Sequence, residues 1–197
     1  MAKVKTLFLK IYNNLLLFYS VMFLLTVLLG FSYVYTKGMV LVSQSGDNYT
    51  QHFKAFVYYS DFIKGILKRL VFERRLVIPH WDFGIGEGYD ILTTFNYYGM
   101  GDPINIPFIL FPRKIISIAF SLGNILRLYL MGLGVVHYCR VSLPKTDNAA
   151  YVAGALSYAF CGFALSNVRG HTIFLTALAA LPFLFAVIES YLKERRR

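Results

Sequence analysis

Five residues of this chain have the type and setting from which chemistry could be built: Asp47, Asp102, Arg127, Arg169 and His171. Asp47 stands in Ser45-Gly46-Asp47-Asn48-Tyr49-Thr50-Gln51-His52, shortly after a long apolar run and just where a segment of helical apolar spacing begins. As local structure, an Asp there is an N-cap that accepts from the first free backbone amides. As chemistry, a carboxylate held at a membrane surface is a general base for an acceptor hydroxyl, or an oxygen ligand for a divalent cation such as Mg or Mn. Asp102 is a second carboxylate, at the far end of the same loop. Arg127 lies inside an apolar run, in Asn124-Ile125-Leu126-Arg127-Leu128-Tyr129. A cation at that depth needs protein, water or an anion to face, and Glu189 is its candidate structural partner. In Asn167-Val168-Arg169-Gly170-His171 a fixed charge stands beside a titratable ring. The planar guanidinium suits a phosphate, and lipid headgroups are its plainer partner.

Other chemistries lack their residues. No GxSxG, HExxH or P-loop pattern is present, so neither a Ser/His/Asp triad nor a zincin helix has support. Gly84, Gly86 and Gly88 resemble a phosphate-cradling loop but do not form GxGxxG and lack the flanking strand and helix of a dinucleotide site. Cys139 and Cys161 form no CxxC or Cys/His cluster and read as small buried hydrophobes.

These residues need elements to hold them, and the composition says of what kind. Of 197 residues 57% are hydrophobic and only 15% charged, far from the composition of a soluble or disordered chain. Apolar runs at 15–36, 115–138, 149–168 and 172–192 are each of helix length, and at 1.5 Å per residue each is near the ~30 Å of a hydrocarbon core. The reading is an all-α integral membrane protein of one domain, 1–197, with four transmembrane helices. A cleavable signal peptide is the competing reading of the first run, which is longer than an ordinary signal-peptide core.

The net charge of +10 would suggest nucleic acid in a soluble protein. Here it is assigned to cytoplasmic segments and lipid headgroups, with no nucleic-acid partner. Lys3, Lys5 and Lys10, Arg140 with Lys145, and Arg195-Arg196-Arg197 fall on one side if four spans alternate, which puts both termini in the cytoplasm. The loop 37–114 is then extracytoplasmic, with Arg113 and Lys114 against the rule at its end. Phe53, Phe56, Val57, Ile63, Ile66, Leu67, Leu70 and Val71 recur at helical spacing and predict an amphipathic helix over about 48–75, lying in the interface plane. Pro79 to Asp90 and Asn96 to Pro103 are turn-rich and predict a structured, irregular loop.

Several spaced motifs run through the chain in order: Gly46-Asp47 then Gln51-His52-Phe53, Pro79-x-Trp81-Asp82-Phe83-x-Ile85-Gly86-x-Gly88-x-Asp90, Tyr97-Tyr98-Gly99-x-Gly101-Asp102-Pro103-x-Asn105, Leu126-Arg127-Leu128-Tyr129, and Arg169-x-His171. Together they resemble the N-terminal part of YfhO-type bacterial membrane proteins, in the GT-C superfamily of integral-membrane glycosyltransferases. The resemblance implies a multi-pass cell-membrane protein with a GT-C-like N-terminal helical bundle. It also implies extracytoplasmic transfer of a sugar from a polyprenyl-phosphate donor to a cell-envelope acceptor such as teichoic acid. On that footing Asp47 is the catalytic or metal-associated carboxylate and Asp102 a second catalytic candidate, while Arg169, His171 and Arg127 bind the donor phosphate. Proteins of this type are normally much longer, so a truncated frame, a piece of a split protein or a fragment is expected. A non-enzymatic component that binds or flips the lipid carrier, or an inactive fragment, is the alternative function.

Overall fold

The computed structural model describes residues 2–36 and 46–195. In chain order its helices are α1 (Ala2–Asn13), α2 (Leu15–Gly30), α3 (Ser32–Thr36), α4 (Lys54–Lys68), α5 (Ile91–Asn96), α6 (Ile106–Ile109), α7 (Ile116–Ser142), α8 (Asn148–Ala159), α9 (Gly162–Arg169) and α10 (Ile173–Arg195). The Trp81–Asp82 strand, β1, pairs antiparallel with β2, Tyr89–Asp90. The chain forms two compact units, whose boundaries fall within α7 and near the end of α9.

All four apolar runs are helical, with differences from the sequence expectation. The helix Arg113–Ser142 and α10 are long and apolar enough to cross a membrane. The third run is a bent pair, α8 and α9, that turns by 45°. Its break follows Phe160, which leaves helical geometry at φ −113° and ψ 25°. The first run is also interrupted, at Phe31, so that α2 itself has 16 residues. In each case a glycine stands at the interruption, Gly30 before Phe31 and Gly162 after Phe160, while the run as a whole stays apolar.

The first unit comprises 1–39, 125–167 and 174–197. Helix α2 starts at an Asn14 cap, whose side chain accepts from Leu17 N at 3.1 Å. Helix α8 starts at an Asp147 cap, and the Tyr12 hydroxyl also donates to Asp147. Asn148 Nδ2 donates to Tyr12 O at 2.8 Å, so the start of α8 is tied to the end of α1. Between α2, α7 and α8 the contact is close. Tyr19 is fully buried and its hydroxyl donates to Tyr129 O at 2.7 Å. A β-carbon on Gly132 would stand 2.3 Å from that hydroxyl oxygen and 3.0 Å from Ala155 O. Without a hydrophobic drive between helices in lipid, such small-residue approaches carry helix association.

The second unit comprises 40–124 and 168–173. Residues 48–73 are helical throughout: a π turn over Asn48–Phe53, then α4, then a π turn over Arg69–Glu73 that ends at Arg74 in the left-handed region. Half of the apolar stripe read from the sequence is covered by the unit itself. Phe56 and Tyr59 pack with Ile109, Ile116, Ala119 and Phe120, and Ala55 packs with Ile91 and Phe95. Polar stitching fixes the register, since Ser60 donates to Ile109 O and Lys64 to Phe111 O, each at 2.5 Å. Leu67, Leu70 and Val71 of the stripe are exposed, as is the neighbouring Phe72. The Pro79–Asp90 segment, expected as irregular, closes into the β1–β2 hairpin, and Asp90 caps α5 by accepting from Thr93 N at 2.8 Å.

Because Gly132 has space for no side chain, Gly132→Val should cost about 1–3 kcal/mol of stability through overpacking. Thermal unfolding in detergent is the measurement. Gly154→Ala, where a β-carbon meets nothing within 4 Å, should leave the midpoint unchanged or raise it.

Candidate functional site

The site lies within the second unit and begins with the π turn. In an α-helix, at about 100° per residue, residue i+5 stands about 140° round from residue i. A π turn closes i→i+5 and brings that residue back toward the same side. The turn over Asn48–Phe53 therefore presents Asp47, Gln51 and His52 together, at the point where 168–173 returns to this unit. The return is anchored by Asn48, fully buried, whose Nδ2 donates to Val168 O at 3.0 Å.

Asp47 occupies the N-cap position, but its side chain makes no cap hydrogen bond. Its Oδ1 instead accepts from Gln51 Nε2 at 2.7 Å, and its Oδ2 lies 3.4 Å from His171 Nε2. The Gln51 amide is oriented in turn by Tyr98, whose hydroxyl donates to Gln51 Oε1 at 3.2 Å. On the far side of the His171 ring, His52 Nε2 is 3.0 Å and the Tyr97 hydroxyl 3.3 Å from His171 Nδ1. With its proton on Nε2, His171 presents an N–H to the carboxylate and leaves the Nδ1 lone pair to accept from His52 Nε2–H or from the Tyr97 hydroxyl. The His52 ring is 1% exposed and sits edge-on to the Tyr98 and His171 rings.

The outcome is a carboxylate oriented from both ends and still accessible. The side chain of Asp47 is 47% exposed, and two of a carboxylate's roughly four acceptor positions are taken. Chemically, a carboxylate steered in this way can take a proton from a hydroxyl placed against it.

Of the residues singled out in the sequence, Asp47 and His171 are brought together. Arg169, the last residue of α9, is exposed and makes no ion pair with a described residue. Asp102, 8% exposed, organises its own turn: its Oδ1 accepts from Ile104 N at 2.9 Å and its carbonyl from Asn105 N at 3.0 Å. Arg127 belongs to the first unit, 1% exposed, with Nε donating to Thr176 Oγ1 at 2.9 Å. Glu189, its expected partner, pairs with Lys193 at 3.3 Å. Gln51, His52, Tyr97 and Tyr98 were legible only as motif positions. Their roles depend on the π turn and on a return of chain more than a hundred residues away, and apolar periodicity carries neither.

A divalent cation at Asp47 needs further oxygen or imidazole ligands around it. Among the described residues no group of three or more His, Cys, Asp or Glu is placed to hold a metal ion. Both Asp47 oxygens already face Gln51 and His171. The described residues alone do not assemble a cation site at Asp47.

The family model described as bacterial membrane protein YfhO matches residues 8–197. No curated protein and no solved structure matches the chain.

The clamp at Asn48 makes a direct prediction. Asn48→Ala strips Val168 O of its buried donor, which costs about 1–3 kcal/mol. Limited proteolysis should then cut faster within 168–173, while Thr50→Ala, at an exposed helix position, should leave the cutting rate unchanged.

Proposed function

The chain belongs to the YfhO family of bacterial membrane proteins, and on that footing we propose that it is a membrane glycosyltransferase of the GT-C kind, or the N-terminal portion of one. In this reading it transfers a sugar from a polyprenyl phosphate to a cell-envelope acceptor such as teichoic acid. The observation that carries the reading is the state of Asp47: an accessible carboxylate that does not cap its helix and is steered by Gln51 and His171.

The transfer is an inverting displacement. An acceptor hydroxyl, placed against Asp47, attacks the anomeric carbon from the face opposite the phosphate. The new C–O bond forms as the bond from the anomeric carbon to the phosphate oxygen breaks, and the electron pair leaves with the polyprenyl phosphate. Asp47 takes the hydroxyl proton. His171 Nε2–H keeps the carboxylate aimed, and His52 and Tyr97 keep His171 aimed. Charge builds on the departing phosphate, where a guanidinium is the fitting donor, and Arg169 lies two residues from His171 with its charge uncommitted among the described residues. Asp102 supports the Tyr97–Tyr98 side through the 99–105 turn.

For the membrane we propose four crossings, α2 with α3, α7, α8 with α9, and α10, with both termini cytoplasmic and the Asp47 site on the extracytoplasmic face. The basic N-terminus, Arg140 with Lys145 and the Arg195–Arg197 end support this orientation. Membrane lipids and the lipid-linked sugar are then its partners.

The test uses membrane vesicles carrying the chain, with any longer form of the protein present, and a synthetic polyprenyl-phosphate-linked sugar. Asp47→Asn should lower transfer by a factor of about 100 or more with donor binding kept. Arg169→Ala should instead weaken donor binding about tenfold. If Asp47→Asn transfers like the parent, Asp47 is not the base; if the parent binds the donor and transfers nothing, the site is a carrier-binding or flipping site and the enzymatic reading fails.

A further inference from the structure

The motif Pro79 to Asp90 has no part in the Asp47 site, yet half of its residues are glycine or aromatic. In the structure it forms one wall of a groove of about 360 Å³, whose other wall is α4. Tyr58 and Phe62 face the groove from α4, Arg69 from the π turn that follows it, and Trp81 and Asp82 from β1. The space beside α4 is open, since a β-carbon on Gly65 would meet nothing within 4 Å.

Two of the motif's three glycines stand against these groove residues. Gly88 has φ +105°, and a β-carbon there would stand 2.9 Å from Trp81 Nε1 and 3.0 Å from Phe83 Cδ1. A β-carbon on Gly84 would stand 3.1 Å from Asp82 Oδ1, the oxygen that accepts from Gly84 N at 2.7 Å. Any larger residue at 88 would push the indole from its seat. Trp81 is nevertheless 53% exposed, so much of its ring is open to a ligand. The Asp82 carboxylate is also deliberately held. Tyr58 donates to its Oδ2 at 2.7 Å, and this bond with the Gly84 amide keeps its carboxyl below the usual carboxylate range.

The charges in the groove nearly cancel. Asp61, on its edge, is bound to Arg113, which leaves Arg69 against Asp82. An anion would meet the Asp82 carboxylate and a cation would meet Arg69. A neutral ligand with many hydroxyls suits both, because hydroxyls donate to a carboxylate and accept from a guanidinium. An exposed aromatic face beside fixed hydrogen-bonding groups is also the environment that the C–H face of a sugar ring fills.

We propose that this groove is a carbohydrate-binding site separate from Asp47, in which one pyranose ring lies on Trp81 with its hydroxyls on Asp82 and Arg69. It holds sugar without reacting with it, and it does not rest on the glycosyltransferase reading.

The chain has a single tryptophan, so emission from Trp81 reports the groove alone. The full chain in nanodiscs is titrated with methyl pyranosides, a neutral pyranose disaccharide, tetramethylammonium and inorganic phosphate. A saturable shift in Trp81 emission with at least one sugar, and none with the two ions, is expected. Asp82→Asn should weaken that binding about tenfold or more. Gly88→Ala, which keeps every groove side chain but displaces the indole, should weaken it as well. By calorimetry Trp81→Phe should retain binding and Trp81→Ala should lose it, which covers a failure of Asp82→Asn to fold. No saturable shift with any sugar at tens of millimolar, or a shift with either ion in place of the sugars, overturns the proposal. So does sugar binding that survives both Trp81→Ala and Asp82→Asn. Asp47→Asn should bind the sugar like the parent, so a failed transfer assay and a failed groove are told apart.

Discussion

The hydrogen bond from Asn48 Nδ2 to Val168 O joins residues 120 positions apart, and the arrangement around Asp47 depends on it. It holds the start of the long loop against the turn that follows α9. Without that return Asp47 would keep Gln51, its neighbour on the helix, but would lose His171. The bond is buried at both ends, where leaving the carbonyl unpaired is costly, so the chain resists opening there. What is built on it is fragile by comparison: a 3.4 Å carboxylate to imidazole contact and a 3.0 Å contact between two rings. A strong buried bond that fixes weaker, more exposed ones is how a fold can keep a carboxylate both oriented and open to solvent.

The parts of this molecule legible in the sequence are those that repeat. Apolar runs announce their helices, and the spacing of Phe53, Phe56, Val57 and Ile63 announces the helix that carries the site. Asp47 and His171 were legible as isolated chemistry, the one from its place before a helix and the other from its place at a span end. What could not be read is geometry of low period. A π turn has no signature in hydropathy, so His52, which an α-helix would turn away from Asp47, had no visible reason to join it. The break at Phe160 and the interruption at Phe31 carry only a local sign, Gly162 in the one case and Gly30 with Ser32 in the other, too short to interrupt the average hydropathy of the run.

The amphipathic helix shows where pattern underdetermines environment. A stripe of that width needs a cover, and protein and lipid serve equally well in the periodicity. The structure divides the stripe: Phe56 and Val57 are covered by the cluster of Ile109, Ile116 and Phe120, while Leu67, Leu70 and Val71 stay exposed. The change coincides with the second π turn at Arg69–Glu73, where the helix leaves the core it has been following. Four basic residues, Lys68, Arg69, Arg74 and Arg75, flank the exposed part, the composition that suits an anionic headgroup layer.

The loop holds seven of the chain's ten acidic residues, and their duties separate Asp47 from the rest. Asp61 pairs with Arg113, which also accounts for a cation that runs against the positive-inside pattern at that end of the loop. Both partners are more than half exposed, so the pair contributes little stability, and its effect is to satisfy the charge locally. Asp82 is held by Tyr58 and Gly84, Asp90 caps α5, and Asp102 accepts within its own turn. Each of the last three accepts at least one backbone amide, the ordinary structural use of a short carboxylate. Asp47 stands at a helix start, where a backbone amide was the easiest partner to take, and it faces two side chains instead. A carboxylate that forgoes its cap while being steered by an amide and an imidazole has been placed for something other than the helix it begins.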